Sequence, residues 1–301
     1  MCELHIVFKT GKNNNITEFE KNCLFKIMES SSKRNDDGHG IYSKNIWYRN
    51  HKKFEDDKKL KSKINESIGH LILAHSRLAS NGEICEENTH PFNLNHIVFL
   101  HNGIIRKYED KEINDKMNDS LFIAKKLNEE FGRTKSEKKT IKNVLSKIEG
   151  SISAFIYFKK SGNLYYYKNA NGFTFALTDG NCIIGSSNFD NIEKSISYNF
   201  LGFRIPYIKI LAKLKPENDK LYQITEKGIK ELEEIEVKTY SYSYSQQTIR
   251  SWDNQKIDDD TENGGVEQSE NENAFCDTHF QGVDEKVCNK MKFHSWGRKK
   301  Q

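Results

Sequence analysis

Residues 96–105 read HIVFLHNGII, an apolar run that meets an Asn-Gly pair. Ile97, Val98, Phe99 and Leu100 have the β-branched and aromatic content of a buried strand, predicted over 96–101. Taken alone, Asn102-Gly103 reads as a type I′ hairpin turn, because both central residues of that turn need positive φ. Working outward, similar runs predict strands at 3–8, at HLILAH (70–75), SISAFIYF (151–158), NLYYYK (163–168) and CIIGSS (182–187). Helical spacing appears in NITEFEKNCLFKIMESSSK (15–33), where Ile16, Phe19, Cys23 and Ile27 share a face and Thr17 with Glu20 forms a capping box. A second helix starts near Asp119 in NDSLFIAKKLNEEF. A third is EKKTIKNVLSKIEG (137–150), with Ile141, Val144, Leu145 and Ile148 on one face and Gly150 as its C-terminal cap. Strands, then helices, then strands again predict an α+β domain of antiparallel sheets covered by helices, since a doubly wound parallel sheet needs strict alternation. No GxGxxG or phosphate-binding loop occurs.

The 301 residues are 36% hydrophobic and 30% charged, enough for one large core with an appendage. A net charge of +4 is small beside 47 basic and 43 acidic side chains, so composition does not indicate a nucleic-acid partner for the main domain. The first thirty residues hold neither a signal-peptide core nor a membrane span, and the expected setting is a reducing cytoplasm with free thiols. The six cysteines form no CxxC pair and no zinc-spaced cluster, so neither a metal nor another cofactor is expected. The main domain is expected over 2–245. Beyond it, Asp253 to Glu285 is acid-rich with Lys256 as its one lysine, which reads as a disordered linker across 246–301. The end of that segment, KVCNKMKFHSWGRKKQ, is basic and carries Phe293 and Trp296; it reads as a solvated end or as a short docking element.

Cys2, at the edge of the first strand, has an ordinary explanation as a buried thiol packing like a small hydrophobe. Four other stretches change that: KRNDDGHG (33–40), HSRLASNGE (75–83), NTHPF (88–92) and LHNGII (100–105). In this order behind Met1-Cys2 they resemble the class II glutamine amidotransferases. The resemblance covers roughly residues 2 to 190 and implies the N-terminal nucleophile hydrolase fold, a four-layer αββα sandwich of two antiparallel sheets flanked by helices.

A thiol attacks an amide only as thiolate, and a free cysteine at neutral pH is mostly protonated. Removal of Met1 would give Cys2 a free α-amino group with a reference pKa of about 7.7–8.0, an internal base directly or through water. The oxyanion that forms needs fixed donors, and the resemblance assigns them to the Asn102 side chain and the Gly103 N–H. It assigns Arg77, a planar fork suited to a carboxylate, to the substrate α-carboxylate and Asp119 to the α-ammonium; in isolation these are a surface ion-pair partner and a helix cap. Arg34 is implied as a contact near Cys2, although Asn35 and Asp36 stand where the family has glycine and proline or tyrosine. Ser80 and Asn81 replace a threonine and histidine, and their backbone is a substrate-binding candidate. His90 reads as a hydrogen-bonded scaffold histidine rather than a general base.

The resulting expectation is a glutaminase subunit: glutamine is hydrolysed to glutamate and ammonia through a Cys2 thioester, and ammonia passes to a synthase or synthetase in trans. Too little sequence follows the motifs for a second catalytic domain of usual size. The alternatives are an N-terminal nucleophile amidohydrolase for another amide, which would need neither Arg77 nor Asp119, and a non-catalytic regulatory module, which would be expected to lose Cys2 or HNG.

Overall fold

Successive side chains of a strand point to opposite faces, and in β1 (Glu3–Lys9) both faces carry apolar residues. Leu4, Ile6 and Phe8 pack with Leu71, Leu73, Val98 and Leu100, whereas Val7 packs with Cys23, Leu24, Ile27 and Met28. A strand of this kind must be covered on both sides, and the rest of the chain supplies the cover.

A computed structural model describes residues 2–238 apart from 12–14, 81, 115–117 and 201–202. After β1 come α1 (Glu18–Ser32), β2 (His39–Ser43), β3 (Trp47–Asn50), α2 (Leu60–Glu66), β4 (Leu71–Ser76), β5 (Phe92–Asn93), β6 (Ile97–Tyr108) and β7 (Lys111–Glu112). Then follow α3 (Asp119–Thr134), α4 (Glu137–Leu145), β8 (Ile148–Phe158), β9 (Asn163–Lys168), β10 (Thr174–Thr178), β11 (Cys182–Ser186) and α5 (Phe189–Ser195). The described chain closes with β12 (Ser197–Phe200), β13 (Phe203–Pro206), β14 (Ile210–Leu214), β15 (Lys220–Thr225) and β16 (Gly228–Glu234).

One sheet has the order β14-β10-β11-β1-β4-β2-β3 and the other β16-β15-β9-β8-β6-β5 with β7 on β6, while β12 and β13 form a separate hairpin. The pairings within both sheets are antiparallel. Three apolar clusters define four layers. One lies between α1, α2, α5 and the first sheet, one between the sheets, and one between the second sheet and α3 with α4. Each buried Leu, Ile or Phe contributes roughly 1.5–3 kcal/mol, so these layers dominate the stability of the domain. No helix among the described residues is long and apolar enough to cross a membrane.

The predicted elements recur with instructive shifts. The Thr17 capping box is complete: Thr17 Oγ1 accepts from Glu20 N and Glu20 Oε2 from Thr17 N. Phe19, predicted on the buried face of α1, is 44% exposed and meets Tyr207 edge-on, because the buried stripe runs through Cys23, Leu24, Ile27 and Met28. The helix over 137–150 stops at Leu145. Ile148 and Gly150 belong to β8, where Gly150 sits at φ +152° and a Cβ would lie 2.4 Å from Ile104 O. The close approach of β6 and β8, rather than a helix cap, demands that glycine. The strand predicted over 96–101 runs on to Tyr108, so Asn102-Gly103 is strand interior and not a turn. The expected tail, 246–301, lies outside the described residues.

Candidate active site

β1 brings Cys2 to one end of the sandwich, half-buried beside the segment that follows β4. Its Sγ lies 3.2 Å from Leu78 O, and Leu78 N–H donates to Sγ over 3.3 Å. Burial raises the thiol pKa above the ordinary value; the Leu78 contact and the Arg77 charge oppose that rise, and the Asp119 charge adds to it. The charges of Arg77 and Asp119 thus both reach the Cys2 thiol.

Residues 77–79 are fixed from the RNDDG loop. Arg77 N donates to Gly38 O (2.7 Å), Asp37 N to Arg77 O (3.0 Å), and Ala79 N to Asp37 Oδ2 (2.8 Å). The Arg77 side chain is buried and its Nη2 donates to Glu83 O over 3.1 Å. Asn102 is buried on the β6 face shared with Val98 and Leu100, the face that looks between the sheets. Asn102 O accepts from Asn171 Nδ2 (3.0 Å), and Asn102 pairs with Ser153 on β8. Gly103 has φ +147°, and a Cβ there would lie 2.1 Å from Ser151 O, so no other residue fits.

Asp119 is buried at the start of α3. Its Oδ2 accepts from Ile105 N and its Oδ1 from Ser120 N, each at 2.7 Å, which ties the helix to the strand just past Gly103. The cap of α3 is its neighbour Asn118, whose Oδ1 accepts from Leu121 N, so Asp119 is the first helical residue rather than the cap. The arrangement gathers a thiol, a guanidinium, a carboxylate and a glycine-containing strand backbone. That set can hold an α-amino acid by both of its charges beside a nucleophile.

Residues 58–194 match the family model described as class-II glutamine amidotransferases. Residues 58–194, a little under half of the chain, thus resemble a class II glutamine amidotransferase domain. The match contains Arg77, Asn102, Gly103 and Asp119 and begins after Cys2. Among curated proteins, the domain is 30% identical over 138 residues to the glutamine–fructose-6-phosphate aminotransferase (isomerizing) of Methanocaldococcus jannaschii, covering 40% of this chain and 12% of that protein. It is 29% identical over 157 residues to the same-named enzyme of Buchnera aphidicola subsp. Baizongia pistaciae, covering 48% of this chain and 26% of that protein. The chain thus spans about a quarter or less of these relatives. A glutamine phosphoribosylpyrophosphate amidotransferase from B. subtilis superposes with TM-score 0.55 at 14% identity, over 77% of this chain and 49% of that one. The chain shares its fold with that amidotransferase, two antiparallel sheets between flanking helices.

The remaining expected residues fall on different parts of the fold. Ser80 is exposed on the loop after Arg77, and Asn81 lies outside the described residues. Arg34 is exposed and its charge bears on Glu3, the residue after Cys2. His90 is buried against the tilted rings of His75 (centroids 4.2 Å apart) and Phe92 (4.4 Å); neither ring nitrogen has a hydrogen-bond partner among the described residues, so ring packing holds it instead of the expected hydrogen bond. Asp37, the Leu78 backbone and Asn171 were not anticipated. Asp37 lies inside the quoted RNDDG loop, but its target, the backbone of 79, is set by tertiary packing.

Proposed function

We propose that the domain hydrolyses the side-chain amide of glutamine, with Cys2 as nucleophile. The observation that carries this reading is the Cys2 thiol set against the Leu78 backbone, next to the buried Arg77, in a chain whose residues 58–194 match the class II amidotransferases. Arg77 takes the α-carboxylate in a forked contact and Asp119 the α-ammonium, which leaves the amide directed at Sγ. Once Met1 is removed, the α-amino group of Cys2 takes the thiol proton. The thiolate adds to the amide carbon, and Asn102 and Gly103 donate to the oxyanion, each such donor being worth roughly 2.7–4 kcal/mol of barrier. The C–N bond breaks with protonation of the leaving nitrogen, ammonia departs, and water cleaves the γ-glutamyl thioester to glutamate and free thiol. Ammonia passes to an acceptor synthase or synthetase in trans.

Intact-mass spectrometry before and after treatment with a diazo-ketone glutamine analogue tests this. Loss of Met1 and one adduct, absent from Cys2→Ala, is expected. Retained Met1 in an active preparation, or labelling that survives Cys2→Ala, overturns it. Pull-down from the native host under mild salt tests the acceptor: an ATP-using or group-modifying enzyme should co-purify.

A further inference from the structure

β6 alternates its side chains between two layers. Asn102 looks between the sheets, whereas His101 points the other way, toward the start of α3. His101 is fully surrounded. Its Nε2 faces Ser151 O at 3.3 Å and its Nδ1 faces Ser120 Oγ at 2.8 Å. A carbonyl only accepts, so Nε2 carries the proton, and burial favours the neutral ring. A neutral ring with Nε2–H has a bare Nδ1, which must accept from the Ser120 hydroxyl.

Ser120 has a second acceptor within reach. Asp119 Oδ1 lies 3.2 Å from Ser120 Oγ and already accepts Ser120 N–H at 2.7 Å. A hydroxyl has one proton, and its two acceptors compete for it. The His101 contact is shorter and takes the proton. Asp119 Oδ1 is then spared one further donor, and a carboxylate with fewer donors on it is a stronger partner for a cation.

We propose that His101 and Ser120 are positioning residues that set glutamine affinity: His101 draws the Ser120 hydroxyl proton away from Asp119, so that the Asp119 carboxylate meets the substrate α-ammonium undiminished. This rests on the assignment of Asp119 given above. It accounts for a serine placed directly after the ammonium-binding residue, at a position where its own backbone N–H already serves that carboxylate. It also gives the histidine before the oxyanion pair a role separate from that pair.

The test is a set of substitutions in the full chain, read by glutamine turnover and by calorimetric binding of L-glutamine to the same variants on a Cys2→Ala background. In His101→Leu the hydroxyl turns to Asp119 Oδ1, and KM and Kd for glutamine rise about tenfold while kcat stays within about twofold. His101→Gln, whose amide oxygen can accept the hydroxyl, binds close to wild type. The decisive variant is the double His101→Leu/Ser120→Ala. With no hydroxyl left to compete, affinity returns to within about threefold of wild type, which a purely structural loss would not do. A double variant as weak as His101→Leu, or a fall confined to kcat, overturns the proposal. Nitrogen-detected imidazole NMR of the unsubstituted protein needs no variant to fold: a bare Nδ1 on His101 supports the proposal and an Nδ1–H tautomer removes it. If unsubstituted protein neither binds nor hydrolyses glutamine, the glutaminase reading itself has failed, an outcome distinct from any of these.

Discussion

The backbone of Leu78 closes on the Cys2 thiol from both its polar groups, with its carbonyl 3.2 Å from Sγ and its N–H donating to Sγ over 3.3 Å. That contact depends on Asp37, which accepts from Ala79 N and donates to Arg77 O, so the RNDDG loop holds the strip of backbone facing the nucleophile. Asp37→Ala removes a charged acceptor from a partly buried N–H. Glutamine turnover should fall about tenfold, as expected when about 1.5 kcal/mol of positioning is lost. Steady-state release of glutamate measures it, and unchanged turnover would show that residues 77–79 hold their place without the loop.

Arg77→Lys should raise the glutamine KM at least about tenfold with the melting temperature nearly unchanged, since an ammonium cannot reproduce a forked contact with a carboxylate. An unchanged KM would move the carboxylate site elsewhere.

Gly103→Ala should cost more than about 2 kcal/mol, because positive φ strain adds to a Cβ placed 2.1 Å from Ser151 O. Chemical denaturation would report it. A stability within experimental error of the parent would mean that β6 and β8 can separate without penalty.

In protein that retains Met1, burial holds the Cys2 thiol above the ordinary cysteine range, so less thiolate is present at neutral pH than in a free cysteine. Alkylation of Cys2 by iodoacetamide, followed by peptide mass mapping to separate it from Cys85, should still be accelerating at about pH 9. A plateau by about pH 8 would contradict this.

His5 and His75 are completely buried, and burial pushes each pKa down to about 3. Their unfolded value is about 6.5. Between these values the unfolded chain binds protons that the folded chain refuses, so stability rises with pH across that window. The contribution is complete above about 6.5 and is lost progressively as pH falls. The slope approaches about 1.4 kcal/mol per pH unit for each histidine. Urea midpoints measured from pH 7 to pH 5 should decline accordingly, and His5→Gln, if it folds, should flatten the decline.

The sequence alone determined the α+β class, the strands at 70–75, 151–158, 163–168 and 182–187 to within a few residues, and the Thr17 capping box. Each of these depends on local period or on a contact three residues away. It also placed Arg77, Asn102, Gly103 and Asp119 in motifs whose residue types suit one chemistry. Local reasoning failed where a distant strand decided the outcome. Gly150 reads as a helix cap in the sequence, whereas β6 lies against it, and the strand read as ending at 101 continues through Asn102-Gly103 because β8 extends alongside it. The short strand β2, the edge strand β3 and the short helices α2 and α5 carry too few apolar positions to show a period. What only the tertiary structure decided is which groups meet. Leu78 reaches Cys2 across 76 positions of sequence, and His101 meets Ser120 across 19. Two sheets stacked face to face bring together chain ends, loop backbones and helix starts whose separation in sequence carries no information about their distance in space.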